Sequence, residues 1–160
     1  MEKKQIILYK FFFFFDLIIL VGDCIKIAVE NLKKGTVIAV PTETIYGVAC
    51  DASSSEGIRR IYEIKKRDSN KPIALSVYQV SDVYKYSEVI ISDKLLNQLL
   101  PGPVTVVFKR KSTFNKDLNP TTDLIGIRVP DSNFVREISK EIGGNPRKET
   151  KKFEFNILSF

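Results

Sequence analysis

Thr36-Val37-Ile38-Ala39-Val40-Pro41-Thr42-Glu43-Thr44-Ile45-Tyr46-Gly47 is the stretch on which the fold turns. Thr36 to Val40 is short, rich in β-branched residues and apolar, so it reads as a strand buried on both faces. Pro41 to Thr44 then reads as a loop at that strand's C-terminal end, where open α/β sheets hold their ligands. Thr42, Thr44 and Tyr46 place hydroxyl donors and acceptors there. Pro41 and Gly47 bracket the loop, so an ordinary turn is the competing reading.

Working outward, helices alternate with apolar strands. Upstream, Gly22-Asp23 is expected to open a helix capped by Asp23, with Ile25, Ala28, Val29 and Leu32 at helical spacing and Gly35 at its C′ position. Downstream, Ser53-Ser54-Ser55-Glu56 is a capping-box signal before a helix with Ile58, Ile61, Tyr62 and Lys65 along one stripe. Pro72 to Val77 reads as a strand. A short helix starts near Ser81-Asp82 and a firmer one runs from Ser92 to Leu99, broken by Pro101-Gly102-Pro103. Val104 to Phe108 and Leu124 to Val129 are two further strands. Asp131 or Ser132 caps a last helix carrying Phe134, Val135, Ile138 and Ile142. The alternation predicts an α/β fold. Residues 147–160 show no clean period and read as a short strand or a loose tail.

The 160 residues suffice for one domain with a core. The net charge is +6, but residues 22–146 carry 18 Lys/Arg against 15 Asp/Glu, too even a balance to indicate nucleic-acid binding from charge alone. With no histidine, Ser-His, Cys-His and His-metal chemistries are excluded. Cys24 and Cys50 form neither a metal-type spacing nor a disulfide framework. Phe11 to Val21 is an apolar leader interrupted upstream by Lys10 and within by Asp16. It is too short for a stable membrane span and lacks a small-x-small cleavage site.

Four places hold candidate chemistry. The first is the Thr42–Tyr46 loop. The second is Lys65-Lys66-Arg67 with Lys71, which either complements a helix C-terminus or holds a phosphate or carboxylate. The third is Pro101-Gly102-Pro103-Val104-Thr105, a stiff turn leading into a strand. The fourth is Arg128 in an otherwise apolar strand, which must face solvent, pair with an acid or grip an anionic ligand. Lys109-Arg110-Lys111 reads as a solvated strand end and a weak RNA-contact candidate.

Taken together and in order, Val40 to Val48, Lys65-x-Arg67, Lys71-Pro72-Ile73, Leu99 to Thr105 and Gly126-Ile127-Arg128-Val129-Pro130 resemble the YrdC family over about 110 residues. The resemblance implies a twisted mixed α/β sheet with flanking helices around a positively charged cleft. It implies a nucleotidyltransferase that turns L-threonine, bicarbonate and ATP into threonylcarbamoyl-adenylate and pyrophosphate. The product would pass to a tRNA threonylcarbamoyl transferase complex that modifies tRNA. Mg²⁺ would accompany ATP, with no metal bound by the protein. By resemblance Lys65 and Arg67 are catalytic, neutralising phosphates and carboxylates. Ser69 and Lys71 join them on ATP, and Thr42, Tyr46, Thr105 and Arg128 bind substrate. The compartment implied is the cytoplasm or the mitochondrion.

The sequence departs from the family at both ends. Residues 1–21 lack family texture. After Gly144-Asn145-Pro146 the family continues into a Thr-Ser-Ala-Asn-x-Ser motif that is absent here. Residues 22–146 are therefore expected to be a partial YrdC-like domain, incomplete at its C-terminus, and 147–160 a divergent tail. Without that motif activity is expected to be impaired, and a sheet lacking the strand that carries it is expected to expose unpaired edges. The competing reading is a non-enzymatic module binding tRNA or double-stranded RNA through Lys65, Lys66, Arg67 and Lys109 to Lys111.

Overall fold

The computed structural model describes residues 17–43, 45–66, 68, 71–143 and 155–158. The elements are α1 (Leu17–Lys33), β1 (Ile38–Pro41), β2 (Tyr46–Asp51), α2 (Ser55–Lys65), β3 (Ala74–Ser76), α3 (Val83–Tyr86), β4 (Ser87–Glu88), α4 (Asp93–Leu99), β5 (Val106–Arg110), β6 (Leu124–Arg128), α5 (Asn133–Gly143) and β7 (Phe155–Leu158). One mixed sheet has the order β1-β2-β7-β3-β6-β5-β4, in which only the β3–β6 pair is parallel. The α/β expectation and the twisted mixed sheet with flanking helices hold.

Helix ends follow the sequence where a capping residue dictates them. α1 closes in a Schellman arrangement: Thr36 N–H reaches Asn31 O at 3.1 Å and Gly35 N–H reaches Leu32 O at 2.8 Å. Gly35 takes φ +76° there, a left-handed conformation that glycine adopts without penalty. Ser54, rather than Ser53, is the N-cap of α2, its Oγ accepting from Gly57 N–H at 3.1 Å. Ser92 caps α4 in the same way through Leu95 N–H. The start of α1 departs from expectation. The helix begins at Leu17, and Asp23 sits within it and pairs with Lys26 at 3.8 Å instead of capping. Leu and Ile favour the helix well enough to carry it upstream of Gly22. None of the described helices is long and apolar enough to cross a membrane. The leader up to Asp16 lies outside the described residues.

Two cores result. Ala28, Val29 and Leu32 of α1 meet Phe134, Val135, Ile138 and Ile142 of α5 over Ile38, Val40 and Ala49. The second core joins Ile58 and Ile61 of α2 to Leu75, Val106, Phe108, Ile125 and Ile127. On β5 and β6 alternate residues are buried, so β3, β6 and β5 cover the second core with one face and leave the other open.

One strand was missed from sequence, and one segment was left open between two readings. β2 was not read as a strand. Gly47, Ala49 and Cys50 give it little intrinsic preference, and pairing with β1 and β7 supplies what propensity does not. The tail, read as a strand or a loose end, contributes β7 to the interior of the sheet, between β2 and β3. In this fold the interior edges of β2 and β3 are therefore paired, not open.

Candidate functional site

The loops after β1, β3 and β6 converge. Val77 N–H donates to Arg128 O at 2.9 Å, and Gly102 N–H donates to Val129 O at 2.9 Å. Ser132 Oγ donates to Pro41 O at 3.3 Å. β2, β7 and β3 lie between β1 and β6, so this meeting requires the sheet to curl as well as twist. The curl brings Glu43 onto Arg128, where Nη2 donates to Oε1. The two side chains are only 11% and 12% exposed. Of the alternatives for Arg128, the structure selects the acid partner. Glu43 Oε2 is buried and, alone among the buried side-chain nitrogens and oxygens of the described residues, has no hydrogen-bond partner. Leaving such an acceptor unmet costs on the order of 1–3 kcal/mol.

Thr42 shapes the loop beside this pair. Its N–H and its hydroxyl both donate to Ile45 O, at 3.2 and 2.5 Å, closing a tight turn that leaves Ile45 and Tyr46 half-exposed. Thr44 lies outside the described residues.

On β6, Gly126 points to the same side as Arg128, and their partners on β3 are Ala74 and Ser76. This face is open at Gly126 and covered at Arg128 and at Ser76, which is buried. A groove of about 430 Å³ runs over it, lined by Ala74, Thr105, Val107, Thr122, Leu124 and Gly126 among others. A Cβ at Gly126 would lie 3.0 Å from Thr105 Cγ2 and 3.7 Å from Ala74 Cβ, so the groove owes its depth to the missing side chain. A ligand there approaches backbone closely, with Arg128 one residue pair away along the strand.

The cationic segment enters from α2. Lys65 is the last residue of that helix, and Lys66 follows in the left-handed conformation, φ +47°. Lys71 precedes Pro72, which lines the groove. Asn119 ties the two segments together: Nδ2 donates to Ile73 O at 3.0 Å, and Oδ1 accepts from Ile73 N–H at 2.6 Å and Tyr62 OH at 3.4 Å. Buried and held at φ +57°, Asn119 adopts the left-handed conformation that asparagine tolerates. Arg67 and Ser69 lie outside the described residues.

The Lys109–Lys111 cluster is solvated at Lys109, as expected of a strand end, but not at Arg110. Arg110 is 9% exposed, and its guanidinium donates to Leu118 O and to Thr122 O, the latter at 3.2 Å. It organises the connection between β5 and β6. Lys109 pairs with Glu88 at 3.4 Å, and Lys111 donates to Tyr84 O. A contiguous cationic face for RNA is thereby broken. Cys24 and Cys50 are both free thiols. Burial, and secondarily the charge of Asp51, pushes the Cys50 thiol far up, so it is not a nucleophile. Among the described residues no three His, Cys, Asp or Glu gather as a metal site would need.

Comparison with known proteins bears on the family and the fold. A family profile for Sua5, YciO and YrdC, described as "Telomere recombination", matches residues 30–146. A Bos taurus protein named threonylcarbamoyl-AMP synthase is 47% identical over 122 residues, 76% of this chain and 44% of that protein. The chain thus spans under half the length of that relative. Among solved structures, Escherichia coli YciO superposes with a TM-score of 0.71 at 24% identity, covering 83% of this chain and 62% of that one. Sua5 of P. abyssi in complex with L-threonine gives 0.70 at 23% identity, covering 84% of this chain and 38% of that one. These two likenesses speak to the fold.

Proposed function

The chain belongs to the Sua5/YciO/YrdC family, and from that premise we propose that its site serves threonylcarbamoyl-AMP synthesis, with L-threonine, bicarbonate and ATP as substrates. One observation carries the reading. A buried arginine, Arg128, ends β6 beside a small-floored groove on the open face of the sheet. An anionic substrate head and a flat nucleotide need these two things side by side.

The chemistry calls for cations more than for a nucleophilic side chain. Threonine's ammonium group and bicarbonate condense to a carbamate with loss of water and a proton. A carbamate oxygen then attacks the α-phosphorus of ATP, and the bond to pyrophosphate breaks. All the reacting species are anions, so the barrier falls when positive charge is fixed around them. In this proposal Arg128 takes the threonine carboxylate, and Thr42 and Tyr46 bound the amino-acid pocket. Lys65, Arg67, Ser69 and Lys71 take the phosphates, and Thr105 flanks the groove. Magnesium arrives with the nucleotide, on its phosphate oxygens. The product is a mixed anhydride suited to delivery to tRNA by a transferase complex.

Pyrophosphate release from ATP, measured with and without L-threonine and bicarbonate, tests the reading. Release that needs all three, at a rate lowered by the missing motif, together with calorimetric binding of L-threonine, is the expected result. An absence of L-threonine binding would overturn it.

A further inference from the structure

Glu43 uses only one of its two carboxylate oxygens on Arg128, while Oε2 lies buried without a donor. The two side chains cancel each other's charge in a nearly closed setting, 12% and 11% exposed. A neutral pair is a weak trap for a simple anion. It is complementary to a molecule that carries an anion and a cation a short distance apart. A buried carboxylate oxygen without a donor calls for an explanation, and a donor brought in by the ligand supplies one.

We propose that Glu43 Oε2 receives the α-ammonium group of the amino-acid substrate while Arg128 receives its α-carboxylate, so that the pair selects a zwitterionic α-amino acid. This deepens the threonine-binding reading above and rests on it. Glu43 is well placed for the task. It sits on the turn closed by Thr42 and Ile45, and it faces an arginine fixed at the end of a sheet strand. The terminal torsion of a glutamate is soft, so Oε2 can turn to meet a donor without moving the loop. The pair discriminates because a carboxylate without an amine would take Arg128 from Glu43 and give Glu43 nothing in return.

The test compares two ligands on the full chain by calorimetry: L-threonine, and (R)-3-hydroxybutyrate, which keeps the carboxylate and the hydroxyl but lacks the amine. The wild-type chain is expected to prefer L-threonine by about tenfold or more, as a charge-assisted hydrogen bond provides. In Glu43→Gln that preference shrinks to within about threefold, because the amide loses the charge that reads the ammonium. Equal binding of both ligands by the wild-type chain, as expected if Oε2 is served by water alone, overturns the inference without recourse to the variant. A Glu43→Gln chain that keeps the full preference overturns it too. Either result leaves threonine binding standing, whereas failure of the wild-type chain to bind L-threonine removes the parent reading and this one with it.

Discussion

Arg128 and Glu43 are held together at the cost of taking two charges largely out of water. Removing one partner is therefore worse than never having had either. Arg128→Met leaves Glu43 charged and nearly buried, and a loss of about 3 kcal/mol of unfolding free energy is expected in urea titration. Arg128→Met combined with Glu43→Leu is expected to be less destabilised than the two single losses added, and a double-mutant cycle reads the difference. The sequence shows that Arg128 needs an explanation but cannot show which one, because its partner lies 85 residues away. Proximity of that kind comes from the curl of the sheet, which no local spacing records. Cys50 offers a second test at this scale. Its folded-state ionisation lies well above the ordinary 9.0, first through burial and then through Asp51. Above pH 9.0 the unfolded chain loses this proton and the folded chain keeps it. Stability from this group is complete below that pH and falls above it, by up to about 1.4 kcal/mol per pH unit. Urea titrations at about pH 8 and about pH 10 should show a smaller drop in Cys50→Ala than in the wild-type chain.

At the level of elements, the groove depends on what β6 lacks. Gly126→Val puts a branched side chain where even one Cβ comes within 3.0 Å of Thr105. The groove fills while the buried alternation of Ile125 and Ile127 is untouched. A folded protein with unchanged far-UV circular dichroism and at least about tenfold weaker nucleotide binding is the expected outcome, since the ligand loses its close approach to backbone. Such elements differ in how far sequence reveals them. α2 could be read almost to the residue, because Ser54 caps it and Ile58 and Ile61 mark its buried side. β6 was equally plain as an apolar run between polar segments. β2 was hidden because Gly47, Ala49 and Cys50 have no preference for strand and take that form only by pairing on both sides. Asn119 was hidden for a related reason: its three hydrogen bonds go to residues far back in the chain, at Tyr62 and Ile73.

For the molecule as a whole, β7 joins what would otherwise be two half-sheets. β1 lies with α1 and α5, and β3, β6 and β5 lie with α2, while β2 gives Ala49 to the first core and Cys50 to the second. Ile157 is paired with Ala49 in the β2–β7 ladder, so Ile157→Pro removes a ladder donor from an interior strand, where proline is not tolerated. Lower thermal stability and concentration-dependent association in light scattering are expected. An unchanged melting temperature would show that the half-sheets hold together unaided. The tail could not be assigned from sequence because its four strand residues follow a run of charges with no period of its own. Its place is fixed by the gap it fills.

That arrangement also sets an order in time. Residues 155–158 leave the ribosome after every other strand described, yet they occupy the middle of the sheet. During synthesis the facing edges of β2 and β3 stand ready and unmatched, each able to pair with a neighbouring nascent chain. Among the strands described, exposure to misassembly is therefore greatest in the interval just before β7 emerges, and a pause in translation over residues 144–154 would lengthen that interval.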